Sequence, residues 1–281
     1  MNTLKTILSG LAVGGAMTIP GVSGGSAAMI LGIYDDLITA VSRAFSEPRK
    51  NLLLLLKFTV GACAGVLLIA RLITFLLTTP VEVPLRFLFL GAVAGGIPMI
   101  FRKAEIRKLT AGSTALILAG VGVVMLISML PERIFSPDTS GFAAVIMQFL
   151  GGLLLAAALV LPGISASHFL LMLGIYDDVM EKLGGFELLA LVPLAAGAAV
   201  GVFLTAKVLE RLLDLHPRGT YLVILGFMLG SLRELLPHGA GPVQTSAGML
   251  CTVVGFVVVY WLQSGKKYRD IVQKPVDKRK I

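Results

Sequence analysis

A proline-glycine break inside an apolar region occurs twice in this chain, and it constrains the fold more than any other feature. The first copy is Ile-Pro-Gly-Val-Ser-Gly-Gly-Ser at 19–26, and the second is Leu-Pro-Gly-Ile-Ser-Ala-Ser-His at 161–168. Each copy is followed at the same distance by Leu-Gly-Ile-Tyr-Asp-Asp, at 31–36 and 173–178. This constant spacing indicates a duplicated unit. A repeated break between short apolar segments is typical of membrane transporters that have a polar site at mid-depth.

The composition places the chain in a membrane. Hydrophobic residues make up 56% of the chain and charged residues only 14%, and apolar runs of about 20 residues recur along it. A large soluble helical protein is the alternative, but the charges cluster between the apolar runs and do not line one face of each helix. The first apolar run resembles a signal peptide. Its counterpart before the second break is internal, so we expect the first run to be structural as well.

The repeat divides one membrane domain, residues 1–281, into two halves. We expect repeat one over about 1–130, a linker at 131–141, repeat two over about 142–264 and a basic tail at 265–281. The predicted apolar helices lie at 51–77, 85–101, 109–130, 142–161, 164–180, 188–213 and 244–262, with a further unit around Gly226 and Gly230. Glycines four residues apart within these runs predict closely packed helices. They are Gly61, Gly65, Gly91 and Gly95, matched in the second half by Gly197, Gly201, Gly226 and Gly230.

Clusters of positive charge predict the orientation, because Lys and Arg near the ends of spans favour the cytoplasm. The segment 102–108 carries +3 and the tail carries +5, which accounts for the net charge of +8. Both are predicted to be cytoplasmic, as are both chain termini. The linker 131–141 and the segment 181–187 each carry −1 and are predicted to lie outside.

This orientation predicts an all-α integral membrane protein with two inverted-topology repeats. Each repeat has one re-entrant helical hairpin, with its tip at the Pro-Gly break, and three transmembrane helices. Re-entrant backbone is tolerated where it is buried in protein or lines a wet cavity. Hairpins that cross the membrane completely are the alternative, and they would give five spans per half with the same inversion.

The two tips have the chemistry of an anion site. Their residues are Ser23, Gly24, Gly25 and Ser26 in the first copy and Ser165, Ala166, Ser167 and His168 in the second. Backbone N–H groups, serine hydroxyls and the N-terminus of the following helix suit a phosphate or a carboxylate. The alternative interpretation is a helix kink in which serine caps the next helix. We expect no metal, no cofactor and no nucleic-acid partner.

Several charged residues are candidates for completing the site. Arg71 and Lys207 occupy matched positions inside apolar helices and are predicted to pair with the phosphate, although each could instead extend to the membrane interface. His168 could link binding to protons or form an ordinary hydrogen bond. The sequence does not identify the coupling ion, for which a proton and sodium are the candidates. The acids at 35–36 and 177–178 are expected at helix C-termini near the membrane surfaces, as gating contacts, cation-coupling groups or solvated ends.

The two motifs together resemble those of the polyprenyl-phosphate transporter family, over the whole chain up to the basic tail. The resemblance implies transport of undecaprenyl phosphate, the lipid carrier of bacterial wall synthesis, from the outer to the cytoplasmic leaflet of the plasma membrane. It implies site roles for residues 23–25, Ser165 and Ser167. The chain departs from the family at Ser26, where threonine is common, at Ala166, usually glycine, and at His168, more often apolar.

Two other functions remain open at this stage. An undecaprenyl-pyrophosphate phosphatase also uses inverted repeats and a Pro-Gly-x-Ser sequence, but it needs a nucleophile with an adjacent arginine and acidic residues in its site. Ser23 is followed by glycine and Ser165 by alanine, which favours a transporter over an enzyme. A transporter of small soluble anions would use the same tip chemistry.

Overall fold

The computed structural model describes residues 3–18, 22–106, 109–131, 141–164, 166–185, 187–237 and 241–264. Within these ranges the chain consists of helices and the turns that join them, as the predicted all-α class requires. The helices are α1 (Thr3–Met17), α2 (Gly24–Ile30), α3 (Tyr34–Ser42), α4 (Pro48–Leu77), α5 (Glu82–Lys103), α6 (Ala111–Met129), α7 (Phe142–Val160), α8 (Ala166–Met172), α9 (Tyr176–Gly184), α10 (Val192–Leu215), α11 (Pro217–Leu235) and α12 (Pro242–Ser264). A short 3-10 helix, Leu188–Leu191, precedes α10.

Among the described residues, six helices are long and apolar enough to cross a membrane. They are α4, α5, α6, α7, α10 with its preceding 3-10 helix, and α12. The chain is therefore a multi-span membrane protein. Helix α7 belongs to this group although we expected it to form one arm of a hairpin. Helix α11 does not, because it is less apolar than the others.

Helix α11 lies in the core. Tyr221, Leu225, Met228 and Leu235 are all buried, and Met228 and Leu235 are completely inaccessible. They pack with residues of α2, α3 and α5 in one cluster. The middle of the helix is apolar, and the charged residues at its ends, Arg218, Arg233 and Glu234, lower its mean hydropathy.

Two helix pairs lie within the halves, α1 with α4 and α7 with α10. Glycine allows the close approach in both. A Cβ atom at Gly61 would lie 2.1 Å from the carbonyl oxygen of Ile7, and one at Gly197 would lie 2.0 Å from that of Phe149. Because neither backbone could make room for a side chain, the predicted packing role of these glycines is confirmed.

Two further pairs join the halves, α5 with α12 and α6 with α11. A Cβ atom at Gly91 would lie 2.0 Å from the carbonyl oxygen of Thr252, and one at Gly226 would lie 2.2 Å from that of Ile117. The last helix of each half therefore packs on a helix of the other half.

The segment after each Pro-Gly break is broken a second time, which the sequence analysis did not predict. The expected single helix at 164–180 is wrong, because α8 ends at Met172 and α9 begins at Tyr176. In the first copy, α2 and α3 meet at an angle of 120°. Gly32 and Gly174 occupy the left-handed region, with φ of 70° and 72°.

The hydrogen bonds at these second breaks are those of a Schellman motif, which ends a helix at a left-handed glycine. The Ile33 N–H donates to the Ala28 carbonyl, and the Ile175 N–H donates to the Leu170 carbonyl, both at 3.1 Å. The acids that follow therefore lie in the first turns of α3 and α9. The expectation that these acids lie at the C-terminus of a helix is wrong. In the first turn of a helix their negative charges interact favourably with the helix dipole.

Candidate functional site

Ser23 in the first motif and Gly163 in the second are in direct contact, although they are 140 residues apart in sequence. The Gly163 N–H donates a hydrogen bond of 2.7 Å to Ser23 Oγ. A Cβ atom at Gly25 would lie 2.9 Å from the backbone nitrogen of Pro162, so the two backbones touch. Residues of the two motifs therefore lie side by side, and the re-entrant course of the two hairpins stays a prediction. Residues 19–21 and Ser165 lie outside the described part of the chain.

Ser23 organises the first tip. It is the N-cap of α2, with φ −82° and ψ 147°, and its Oγ accepts the Ser26 N–H at 3.1 Å. The two hydroxyl oxygens of Ser23 and Ser26 are 2.8 Å apart. The Ala27 N–H is the first to bond a carbonyl of the turn, that of Ser23. The amides of Gly24 and Gly25 precede it, so the helix offers them no carbonyl partner. Ser23 thus has the capping role, and no hydrogen bond of the Gly24 or Gly25 N–H is found within the described residues.

The second tip packs closely against α11. Gly163 has φ of 83°, and a Cβ atom there would lie 2.4 Å from the carbonyl oxygen of Phe227. Only glycine combines this backbone conformation with so close an approach. Ala166 and Ser167 begin α8, but their side chains lie outside the described part of the structure.

The imidazole of His168 is fixed by α6. Its Nε2 lies 2.8 Å from the carbonyl oxygen of Ile127. A carbonyl can only accept a hydrogen bond, so Nε2 carries the proton in this contact. The ordinary hydrogen-bonding role considered for this histidine is therefore present, and a role in proton coupling stays a prediction.

Tyr34 links the first motif to the second break. Its side chain is buried, and its hydroxyl donates a hydrogen bond of 2.8 Å to the carbonyl of Val160. Val160 is the last residue of α7, where carbonyls lack partners inside the helix. Sequence reasoning missed this contact, although the tyrosine in both copies of Leu-Gly-Ile-Tyr-Asp-Asp was a signal that could have indicated it.

A charged cluster holds α3 to the centre of the molecule. Lys103 forms an ion pair with Asp35, and the lysine side chain is only 6% exposed. The Tyr221 hydroxyl lies 3.1 Å from each carboxylate oxygen of Asp35. The Lys103 ammonium also lies 5.4 Å from the centre of the Tyr221 ring. The cluster joins α3, α5 and α11, and therefore both halves. The sequence analysis counted Lys103 only as part of a cytoplasmic charge cluster and missed its partners.

Within its described residues the structure shows no contact between the tips and Lys207, one of the two cations predicted to complete the site, and it does not describe the side chain of the other, Arg71. Lys207 is exposed on α10, and its ammonium lies 5.6 Å from the centre of the Phe203 ring. Arg71 lies on α4, and its side chain is outside the described part of the structure. The phosphate-binding role of both residues stays a prediction.

Within the described ranges, six helices of membrane length surround a partly buried point where the two repeated motifs touch and where backbone N–H groups lie at the start of a helix. This arrangement is common among membrane transporters. The chain belongs to the VCA0040-like family, described as undecaprenyl phosphate translocase-like, whose family model matches residues 13–251. The resemblance drawn from the two motifs is thereby confirmed.

Two relatives carry the name polyprenyl-phosphate transporter. The one from Vibrio cholerae serotype O1 (strain ATCC 39315 / El Tor Inaba N16961) is 30% identical over 251 residues, which cover 84% of this chain and 79% of the relative. The one from Staphylococcus aureus (strain NCTC 8325 / PS 47) is 28% identical over 264 residues, which cover 90% and 93%. No solved structure matches the chain significantly.

Proposed function

We propose that this protein is a flippase that moves a polyprenyl phosphate, undecaprenyl phosphate in particular, from the outer to the cytoplasmic leaflet of the bacterial plasma membrane. It thereby returns the carrier lipid to cell-envelope and peptidoglycan synthesis. The observation that carries the proposal is the direct contact of the two breaks, Gly163 N–H to Ser23 Oγ. Family membership supports a lipid phosphate as the anion that the two tips share.

The headgroup binds between the tips. The amides of Gly24 and Gly25 point from the start of α2, and the hydroxyls of Ser23 and Ser26 lie beside them. A phosphate oxygen takes the Gly163 N–H in place of Ser23 Oγ, so binding exchanges one hydrogen bond for a charge-assisted one. Residues 165–168 of the second tip complete the donor set. Arg71 and Lys207 neutralise the phosphate as it approaches or leaves.

The helix pairing supports two equivalent halves. Exchanging the halves turns the pair α1–α4 into α7–α10, and α5–α12 into α11–α6, and all four pairs are present. With an odd number of crossings in each half, the halves have inverted topology and both termini are cytoplasmic. Alternating access then arises when one repeat rocks against the other around the tips.

Binding measurements on a matched pair of variants test the headgroup site. Asparagine and aspartate cap helices about equally well, so Ser23→Asn and Ser23→Asp both preserve the start of α2, but only aspartate repels an anion. We expect undecaprenyl phosphate binding to weaken by a few-fold in Ser23→Asn and by at least about 10-fold more in Ser23→Asp, because one unfavourable charge contact of about 1.4 kcal/mol suffices for that factor.

Thr110→Asp is the control for the added charge. Thr110 caps α6 in the same way, with Oγ1 accepting the Ser113 N–H at 3.3 Å, and it does not belong to either tip. Binding should be unchanged in this variant. Equal binding by Ser23→Asn and Ser23→Asp would show that the anion binds elsewhere.

A cellular measurement tests the direction of transport. In a bacterium where this protein is the sole transporter of the lipid, its deletion should raise undecaprenyl phosphate on the outer leaflet. Unchanged outer levels would count against the proposal. Release of phosphate from undecaprenyl pyrophosphate by the purified protein would favour the phosphatase. Competition by free phosphate as strong as that by the lipid would favour a transporter of small anions.

A further inference from the structure

An apolar groove begins at the second tip and runs along α10 and α11. Its volume is about 590 Å³, and most of its lining is apolar, including Leu161, Leu204, Val208, Leu212, Val223 and Phe227. The polar lining residues are Thr205, His216 and Thr220. Leu161 immediately precedes the Pro-Gly pair whose glycine donates to Ser23. One end of the groove is therefore part of the same turn that forms the proposed headgroup site.

The groove exists because the helices that form it pack mainly on different partners. Helix α10 packs on α7, whereas α11 packs on α6 and α5. The two helices meet in sequence at His216, where α10 ends and α11 begins, and residues of both line the groove. From Leu204 to His216 the groove follows about 18 Å of helix, at 1.5 Å per residue. This length is about 60% of a hydrocarbon core of about 30 Å.

The groove is open along its side. The rim residues Leu204, Val208 and Leu212 on α10 are 52%, 60% and 45% exposed, and Leu116 on α6 is 38% exposed. In a multi-span membrane protein such apolar side chains face hydrocarbon. The groove therefore communicates with the lipid along its length.

We infer that this groove holds the isoprenoid chain of the transported lipid, an inference that rests on the proposed function. Burying a phosphate among leucine, valine and phenylalanine side chains would be very costly, so the apolar groove takes the chain while the donors at the tip take the headgroup. Its volume is roughly four times the 150 Å³ of a cavity that holds one benzene ring, which gives room for roughly four five-carbon isoprene units. The remainder of a long chain leaves through the open side.

Gly219 offers a direct way to fill the far end of the groove. A Cβ atom there would meet only Leu116 Cδ1, at an ordinary contact distance of 3.8 Å, so a side chain at this position extends into the groove without a backbone clash. Gly122 on α6 is the matched control, because a Cβ atom there meets nothing within 4 Å and the residue does not line the groove.

The test compares a long and a short ligand in Gly219→Phe and Gly122→Phe. We expect Gly219→Phe to weaken the binding of undecaprenyl phosphate by at least about 10-fold and to leave geranyl phosphate, with two isoprene units, within about 2-fold. Gly122→Phe should change neither affinity. If Gly219→Phe and the unmodified protein bind undecaprenyl phosphate equally well, the inference that the groove holds the isoprenoid chain is wrong, and the proposed function is unaffected. If the unmodified protein binds neither lipid, the proposed function itself fails.

A second pair of variants changes polarity with little change in volume. Val208 on the groove and Val253 on α12 are both 60% exposed. Val208→Asn should weaken undecaprenyl phosphate binding several-fold, and Val253→Asn should not. Equal effects would show that the loss arises from the membrane-facing surface in general.

Photo-crosslinking identifies the occupant. A polyprenyl phosphate with a diazirine on its third or fourth isoprene unit should label peptides from 204–212 or 219–227. Equal labelling of these peptides by a phosphatidylcholine with a diazirine in its acyl chain, in competition with the polyprenyl phosphate, would show that the groove is a site for bulk lipid and would overturn the inference.

Discussion

The two copies of the repeated motif share their backbone and differ in how they are held. Both end their first short helix at a left-handed glycine, Gly32 and Gly174, with the same hydrogen bonds. Helix α3 is then attached to other helices, because Asp35 pairs with Lys103 on α5 and Arg43 Nε lies 2.8 Å from Glu210 on α10. In α9 the ion pair of Asp178 is made with Lys182 of the same helix.

The repeated motif therefore determines the turn at the left-handed glycine. The ion pairs that hold the following helix depend on the residues around the motif, which differ between the two copies. Arg43 is matched by Gly185 at the spacing of the repeat, so the second copy has no side chain for the equivalent contact. If the halves move in opposite senses during transport, contacts made by only one of them bias the equilibrium between the two arrangements. Movement of the first hairpin relative to its neighbours must therefore break the ion pairs Asp35–Lys103 and Arg43–Glu210.

The largest effect is expected where the two tips meet. Gly163→Ala places a Cβ atom in the left-handed region and 2.4 Å from the Phe227 carbonyl oxygen. Backbone strain and steric overlap should together cost roughly 2–5 kcal/mol, seen as a lower unfolding temperature in detergent. Gly122→Ala, whose Cβ meets nothing within 4 Å, should be neutral or slightly stabilising. A similar unfolding temperature for both variants would show that the second tip is not tightly packed against α11.

A smaller effect should separate the two anchorages. Asp35→Asn removes the ion-pair partner of the nearly buried Lys103 and leaves it only the more distant charge of Asp36. Because Asp35 itself is 45% exposed, we discount the loss of a fully buried pair to about 1–3 kcal/mol. Asp178→Asn removes a half-buried i,i+4 pair within one helix, and such pairs are worth about 0.3–0.5 kcal/mol. Thermal unfolding of both variants measures the contrast, and equal shifts would contradict the unequal anchorage.

The smallest effect concerns the hydrogen bond from the first motif to the second break. Tyr34→Phe removes the donor to the Val160 carbonyl and should cost about 1 kcal/mol. The matched variant Tyr176→Phe changes the same residue of the other copy, and no bond of its hydroxyl is found in the described part of the chain, so it should cost less than half as much. A larger loss for Tyr176→Phe would reverse the comparison.

The sequence predicted those features that repeat or that follow from composition. Apolar runs gave the membrane helices, and glycines such as Gly61 and Gly91 gave the close helix contacts. The paired Pro-Gly breaks indicated two tips that meet. Each of these depends on a residue type at a regular spacing, which is visible without coordinates.

The features that were missed depend on tertiary contacts. Nothing in an apolar segment distinguishes the glycine of Leu-Gly-Ile as a helix end, so the bends at Gly32 and Gly174 were read as continuous helix. The partners of Lys103 lie on α3 and α11, far away in the chain, and a charge count cannot identify them. The burial of helix α11 depends on the helices that surround it. Its composition alone therefore does not show that it lies in the core.

The pairing of α5 with α12 also has a consequence for biosynthesis. Helix α5 ends at Lys103, whereas α12 begins only at Pro242. The surface of α5 around Gly91 and Gly95 can therefore pack on α12 only after most of the chain has been inserted. A first half expressed alone would leave that surface exposed to lipid, where α12 of a second molecule offers the same fit. Exchange of the last helix between two chains would then need no new contacts. Two half-chains expressed together should assemble for the same reason.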